Sequence, residues 1–288
     1  MSTVRVALAN IRVAATPEES VCLATSAVTD AGAQGATVVC FPECFVPGYR
    51  WPGQSAPPPD PVFLEAARSA VADAARRAAI TVILGTERIT DRGLQITACV
   101  INPDGTIAGW QDKGQIDPSE EVAYPALGNG RHVFSAGPMT FGISICHEGW
   151  RYPETVRVAV LGGAHVVFHP HFHEAEPGSY APSNFADPAN SFHEKAALCR
   201  AAQNTCYFAT VNYAGAGSPT TSAVVQPDGT LLAHQPYGKE GLLVADIDIS
   251  LATGLLASRY KSVEARAASD SKARAASDSI KPGAPAPG

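Results

Sequence analysis

Apolar residues come in short runs along the chain, and the signals between the runs are those of helix starts and tight turns. Residues 4–11 (VRVALANI) form an apolar run of strand length. Thr16-Pro17-Glu18-Glu19 then supplies an N-cap, a first-turn proline and a capping-box glutamate. Val21, Ala24, Val28 and Ala31 follow at helical spacing until Gly32 and Gly35 stop the helix, and 36–41 (ATVVCF) predicts the next strand. Asp60-Pro61 opens a second helix through Ala79, with strands predicted at 81–89, 94–101 and 106–112. The last two are joined by a Pro103-Asp104-Gly105 turn. The second half repeats the pattern: a strand at 140–146, a helix from Pro153 to Leu161, a strand at 164–168 and a helix at 189–203. Strands at 206–213, 221–226, 230–234 and 241–247 complete it.

Helices that alternate with parallel-type strands, together with Pro-Asp-Gly hairpins, indicate an α/β domain, and so many strands predict two sheets. The domain is read as 1–263. From Glu264 onward the pattern fails: 265–272 (ARAASDSK) and 273–280 (ARAASDSI) are near copies and the chain ends in KPGAPAPG, so 264–288 is read as a low-complexity tail. Hydrophobic residues make up 45% and charged residues only 17%, which excludes a disordered chain. A net charge of -6 without any Lys/Arg run argues against nucleic acid and anionic membrane as partners and favours a small-molecule ligand. No apolar run approaches a membrane span, and the start lacks the features of a signal peptide. Seven cysteines, odd in number and without a C-x-x-C pair, read as reduced thiols, so a cytoplasmic protein is expected.

Candidate chemistry lies where polar residues abruptly end an apolar run, because ligands in open α/β sheets sit beyond the carboxyl ends of strands. Glu43 follows VVCF, Cys146 follows GISI, and Lys113 closes TIAGWQD. A carboxylate, an amine and a thiol suffice for attack on an electrophilic carbon bound to nitrogen. Glu43 would take the thiol proton of Cys146, while Lys113 and the backbone N–H of His147 would hold the oxyanion. A Cys146–His147 dyad is disfavoured, because neighbours along a strand point to opposite faces.

Together these segments resemble the carbon-nitrogen hydrolases of the nitrilase superfamily, over roughly residues 4 to 260 in unbroken order. FPECFVPGYRWPG at 41–53 is similar to that family's glutamate segment, WQDK at 110–113 to its lysine segment and GISICHEGWRYPE at 142–154 to its nucleophile segment. GAHVVFHP at 163–170, KAALCRAAQNTCYFATVN at 195–212 and the Pro-Asp-Gly at 227–229 continue the resemblance. It implies a four-layer α-β-β-α sandwich, no cofactor, pairing of subunits as a homodimer or higher oligomer, and Glu43, Lys113 and Cys146 as the catalytic residues. It also implies a second glutamate that positions the lysine, for which the spacing of Glu121 to Tyr124 suits better than that of Glu120. Arg151-Tyr152-Pro153-Glu154 resembles the amidase and carbamoylase branches, so a small amide or N-carbamoyl substrate is expected ahead of a nitrile. His147, Trp150, Arg151 and His171 are the candidate substrate-binding residues.

Two other readings stay open. His169, His171 and His173 alternate beside Glu174 and Glu176, and a catalytically silent relative could bind a ligand or metal there, although substrate contact or plain hydrogen bonding is the stronger expectation. Trp51, Trp150 and Phe172 either line a substrate pocket or cover the end of the core.

Overall fold

The computed structural model describes residues 3–51, 56–175, 178 and 180–261. The duplicated tail at 264–288 therefore lies outside the described residues. The first apolar run forms β1 (Thr3–Asn10), whose side chains divide by alternation: Val4, Val6 and Leu8 enter one core, Ala7 and Ala9 another. The second of these cores is closed by α1 (Pro17–Ala33), capped by Thr16 Oγ1 accepting from Glu19 N, and α2 (Pro61–Ala78), capped by Asp60. With β2 (Val38–Cys40), β3 (Thr81–Thr90), β4 (Gly93–Ile101) and β5 (Ile107–Asp112), and with the late β12 (Gly241–Asp248), β1 forms a six-stranded sheet in the order β12-β1-β2-β3-β4-β5. Its β1-β2-β3 centre is parallel and its flanks are antiparallel.

The second half builds a matching sheet from β6 (Val133–Ala136), β7 (Met139–Ile143), β8 (Val166–Pro170), β9 (Tyr207–Val211), β10 (Ala223–Val225) and β11 (Leu231–His234), ordered β11-β10-β9-β8-β7-β6. Here β7-β8-β9 is the parallel centre. Alternation again sorts side chains: Val166, Phe168, Tyr207 and Ala209 face the first sheet, while Val167 and Phe208 face α4 (Pro153–Leu161), α5 (His193–Asn204) and α6 (Leu255–Ser258). The result is the expected α-β-β-α sandwich, with the largest core between the sheets. Burying each Val, Leu or Phe there contributes about 1.5–3 kcal/mol. Among the described residues no helix is long and apolar enough to cross a membrane.

Some boundaries differ from the sequence reading. The strand expected over 140–146 stops at Ile143, and the chain after it forms an unpredicted five-residue helix, α3 (His147–Arg151). The strand β6 was also not expected, because an edge strand of four half-exposed residues has too little alternation to register. Residues 189–192 precede α5 as a loop, where Lys195 Nζ ties down the carbonyls of Pro188 and Asn190.

Candidate active site

Three strand ends converge at one end of the inter-sheet core. After β2, Phe41 N–H still donates to Ile83 O at 2.9 Å, and the chain then turns sharply, with Cys44 at φ 47°. Gly85 of β3 lies directly beneath, where a Cβ would stand 1.8 Å from the Pro42 carbonyl oxygen, so only glycine lets the turn settle on the strand. Tyr213 Oη donates to Glu43 O at 2.9 Å. The Glu43 carboxylate that results is fully buried.

Lys113 follows β5, and its N–H donates to Ile96 O at 2.9 Å while its carbonyl accepts from Gly128 N at 2.8 Å. Its buried ammonium donates to Glu43 Oε1 at 2.7 Å and to Glu120 Oε1 and Oε2 at 2.6 and 2.8 Å. Glu120 also accepts from Tyr49 Oη at 2.5 Å and Asp117 N at 2.6 Å. The glutamate beside the lysine is therefore Glu120, and the expectation of Glu121 is corrected: Glu121 is exposed. The reason is local. Asp117-Pro118-Ser119-Glu120 is a capping box on a 3-10 turn, and its N3 glutamate folds back over the N-cap and so inward, leaving the next residue to point out. That motif was readable in the sequence.

Cys146 sits between β7 and α3. Ser144 N–H and Cys146 N–H donate to Phe168 O and Pro170 O, both at 2.9 Å, and Cys146 adopts φ 48°, ψ -115°. This turn lifts the thiol out of the strand, 3.8 Å from the Phe172 carbonyl. The N–H of His147 has no hydrogen-bond partner among the described residues. Glu148, fully buried, braces the turn. It accepts from Ile145 N at 2.9 Å, from Gly114 N at 3.0 Å and from Arg131, tying the cysteine loop to the lysine loop.

Burial raises the Glu43 pKa to about 7, with Lys113 opposing and Glu120 adding to the rise. Burial and the neighbouring Glu43 also push the Cys146 thiol up, Lys113 opposing. Burial pulls Lys113 down, but Glu43, Cys146 and Glu120 together outweigh it and hold the ammonium charged. With Glu43 and Glu120 ionised around Lys113, the cluster carries one net negative charge. Moving the thiol proton onto Glu43 keeps that total unchanged, so no extra charge is buried. Among the described residues Glu43 Oε2 has no nitrogen or oxygen donor, and the carboxylate's remaining side-chain neighbour is the Cys146 thiol, so it is placed to accept that proton.

A cavity of about 510 Å³ opens over the cluster, with Cys146 and Glu120 in its lining. Tyr49, Trp51 and Phe172 supply an aromatic wall, with Trp51 and Phe172 stacked at 4.6 Å; His147, Trp150 and Arg151 also line it. So all three aromatics in question reach the cavity. His147 Nδ1 lies 3.0 Å from Asp117 Oδ2. His171 is a correction: it is fully buried behind Trp150, held by Thr210 and Thr220, and the cavity receives His173 and His193 instead. Trp150 fills the centre of the histidines, 4.5–5.4 Å from the rings of His169, His171, His173 and His193. Among the described residues, no group of three or more His, Cys, Asp or Glu is arranged to hold a metal ion.

Residues 5–255 match the family model of carbon-nitrogen hydrolase. The chain belongs to the carbon-nitrogen hydrolase family. Within this family, which acts on carbon–nitrogen bonds, it is 26% identical over 246 residues to a nitrilase of Pyrococcus abyssi, spanning 82% of this chain and 86% of the relative. A human omega-amidase is 24% identical over 273 residues, 86% of this chain and 90% of that protein. Among solved structures, an amidase from Nesterenkonia sp. superposes with a TM-score of 0.74 at 25% identity, covering 92% of this chain and 95% of its own. Acrylamide has added to the active-site cysteine of a mutant of that amidase by Michael addition.

Proposed function

We propose that this hydrolase cleaves the carbon–nitrogen bond of a small amide or N-carbamoyl compound, with Cys146 as nucleophile, Glu43 as general base and Lys113 as the oxyanion cation. The observation that carries the reading is Glu43 Oε2, which has no nitrogen or oxygen donor among the described residues and whose carboxylate faces the Cys146 thiol, in a cluster where Lys113 already binds both carboxylates. As Sγ attacks the carbonyl carbon, the thiol proton passes to Glu43, and the oxygen takes the electron pair between Lys113 Nζ and the His147 N–H. Because burial keeps the resting thiol protonated, proton transfer accompanies attack rather than preceding it. Glu43 returns the proton to the departing nitrogen, which leaves as ammonia or an amine, and a thioester remains. Water then gives its proton to Glu43, its oxygen attacks the thioester carbon, and the acid is released as Sγ recovers a proton. Glu120 holds the ammonium in place throughout.

The cavity supports a polar substrate. Arg151, its guanidinium 4.2 Å from the centre of the Phe192 ring, forms no ion pair among the described residues and suits a substrate carboxylate. Purified protein is expected to release ammonia from a carboxylate-bearing amide faster than from propionamide. A matched nitrile turned over about tenfold faster than its amide, a preference of about 1.4 kcal/mol, would move the assignment to nitrile hydrolysis.

Assembly follows from the outer helices. Val158 and Leu161 of α4 and Leu255 and Leu256 of α6 are 46–56% exposed on helices in mutual contact, an apolar surface that a second copy would cover. Light scattering should return a species of at least twice the 29.9 kDa chain mass. A 30 kDa species at micromolar concentration would contradict pairing. All seven cysteines are free, which supports a reducing compartment such as the cytoplasm.

A further inference from the structure

Behind the nucleophile runs a hydrogen-bonded chain that the reaction above leaves unused. His169 Nε2 lies 2.8 Å from the Cys146 carbonyl oxygen, which also accepts from Gly149 N at 3.0 Å and Trp150 N at 3.3 Å, and His169 Nδ1 lies 2.9 Å from Thr210 Oγ1. That hydroxyl is 3.0 Å from His171 Nδ1. His171 Nε2 is 3.3 Å from Thr220 Oγ1, and the same hydroxyl is 3.3 Å from His173 Nδ1, on the cavity wall.

One constraint orders every proton in this chain. A carbonyl only accepts, so His169 donates from Nε2, and a neutral ring then offers Nδ1 as acceptor. Thr210 must donate to it, which leaves the Thr210 oxygen to accept from His171 Nδ1–H. His171 Nε2 in turn accepts from the Thr220 hydroxyl, whose oxygen accepts from His173 Nδ1–H. The rings are neutral because burial lowers the pKa of His169 to about 3 and that of His173 to about 4, and lowers that of His171 as well. Gly149 is the gap that admits the first ring: a Cβ there would stand 2.3 Å from His169 Cδ2 and 2.6 Å from Nε2. From another side, buried Arg200 donates to Gly149 O at 2.9 Å and to Trp150 O.

The consequence falls on the nucleophile turn. Cys146 holds φ 48°, a conformation that costs a non-glycine residue about 1–3 kcal/mol and persists only where its surroundings enforce it. The C=O of Cys146 and the N–H of His147 belong to one planar trans peptide and point in opposite directions, so whatever holds one aims the other. We propose that His169 is a positioning residue for the nucleophile. Its bond is the shortest of the three on the Cys146 carbonyl and, beside the Gly149 and Trp150 N–H groups, it holds the peptide plane whose His147 N–H receives the oxyanion, in a tautomer set by Thr210 and relayed through His171 and Thr220 to His173. This rests on Cys146 being the nucleophile of the proposed hydrolysis.

Four variants and one spectrum test it. His169→Ala removes the donor, whereas His169→Gln keeps an N–H near the place of Nε2. Thr210→Val keeps the shape but not the hydroxyl, and Thr210→Ser keeps the hydroxyl. For the amide hydrolysed fastest by the wild-type protein, kcat should fall about 10- to 100-fold in His169→Ala with KM nearly unchanged. His169→Gln should recover most of the loss, and Thr210→Val should lose activity where Thr210→Ser does not. The Thr210 pair carries the comparison should His169→Ala fail to fold. Independently of turnover, long-range 1H–15N spectra of histidine-labelled protein should show His169 protonated on Nε2 and His171 and His173 on Nδ1. A His169 proton on Nδ1, or a folded His169→Ala enzyme with wild-type kcat, overturns the proposal. Should the wild-type protein hydrolyse no amide or nitrile, the functional reading fails by that result, and the spectra still decide the hydrogen-bond chain.

Discussion

Cys146→Ala should leave no measurable turnover, and Glu43→Gln should lower kcat about 10²- to 10⁴-fold, the usual yield of a positioned general base. Both proteins should fold. Cys146 Sγ packs at the cavity floor, and a glutamine at 43 keeps the volume and the acceptor facing Lys113 Nζ. Combining the two should cost no more than Cys146→Ala alone, because base and nucleophile serve a single step. The pH profile gives a separate check with a definite sign. Glu43 acts as base only when ionised, and burial raises its pKa to about 7. Wild-type kcat/KM should therefore fall as pH drops through about 7, well above the limb an ordinary glutamate would give. A Cys146→Ala enzyme that kept a few per cent of activity would overturn Cys146 as nucleophile, and an acid limb near 4.5 would show that the base is not the buried Glu43.

Glu120→Gln and Glu121→Gln should differ sharply although the residues are neighbours. Glu120 accepts four hydrogen bonds at once, from Lys113 Nζ, Tyr49 Oη and Asp117 N, with Nζ reaching both of its oxygens. A glutamine there keeps one acceptor, brings an NH₂ into a set of donors, and should cost about 1–3 kcal/mol of stability. Turnover should fall about 10²-fold, because Lys113 is freed to shift by an ångström or so. The acid limb should also move. Glu120 raises the Glu43 pKa, so its neutral replacement lets that pKa fall and the limb shifts below 7. Glu121→Gln, at an exposed position, should change stability by less than about 0.5 kcal/mol and leave kcat unchanged. Equal losses from both substitutions, by thermal melts and steady-state kinetics, would reject this assignment.

Periodicity and caps carry most of the architecture. Thr16-Pro17 and Asp60-Pro61 start helices because a side-chain oxygen followed by proline meets the needs of a first turn whatever surrounds it. Period-two alternation in 4–11 likewise commits β1 to two different cores. These are local rules, and so legible from residues alone. The same holds for Glu43, Lys113 and Cys146 as polar residues at the ends of apolar strands. Glu120 was equally legible, since Asp117-Pro118-Ser119-Glu120 states its capping box in four letters; reading the spacing to Tyr124 instead led to the wrong neighbour.

Other features depend on distance in space. Nothing local in His171 distinguishes it from His173, yet one is buried against Thr210 and Thr220 and the other reaches the cavity, because β9 and the loop before β10 supply hydroxyls to the first. The φ of 48° at Cys146 is likewise imposed from outside, by β8 accepting its N–H, His169 gripping its carbonyl and Glu148 bracing the turn. The raised Glu43 pKa comes first from burial, with Glu120 adding to it and Lys113 opposing, and the two carboxylates lie on segments 70 and 7 residues away from Lys113. The sequence by itself determined where the capped helices start and which polar residues follow the apolar strands, since those depend on neighbours along the chain. Only the tertiary structure decided which of those residues meet around one buried ammonium, because desolvation and charge act through space between segments that the fold alone brings within hydrogen-bond reach.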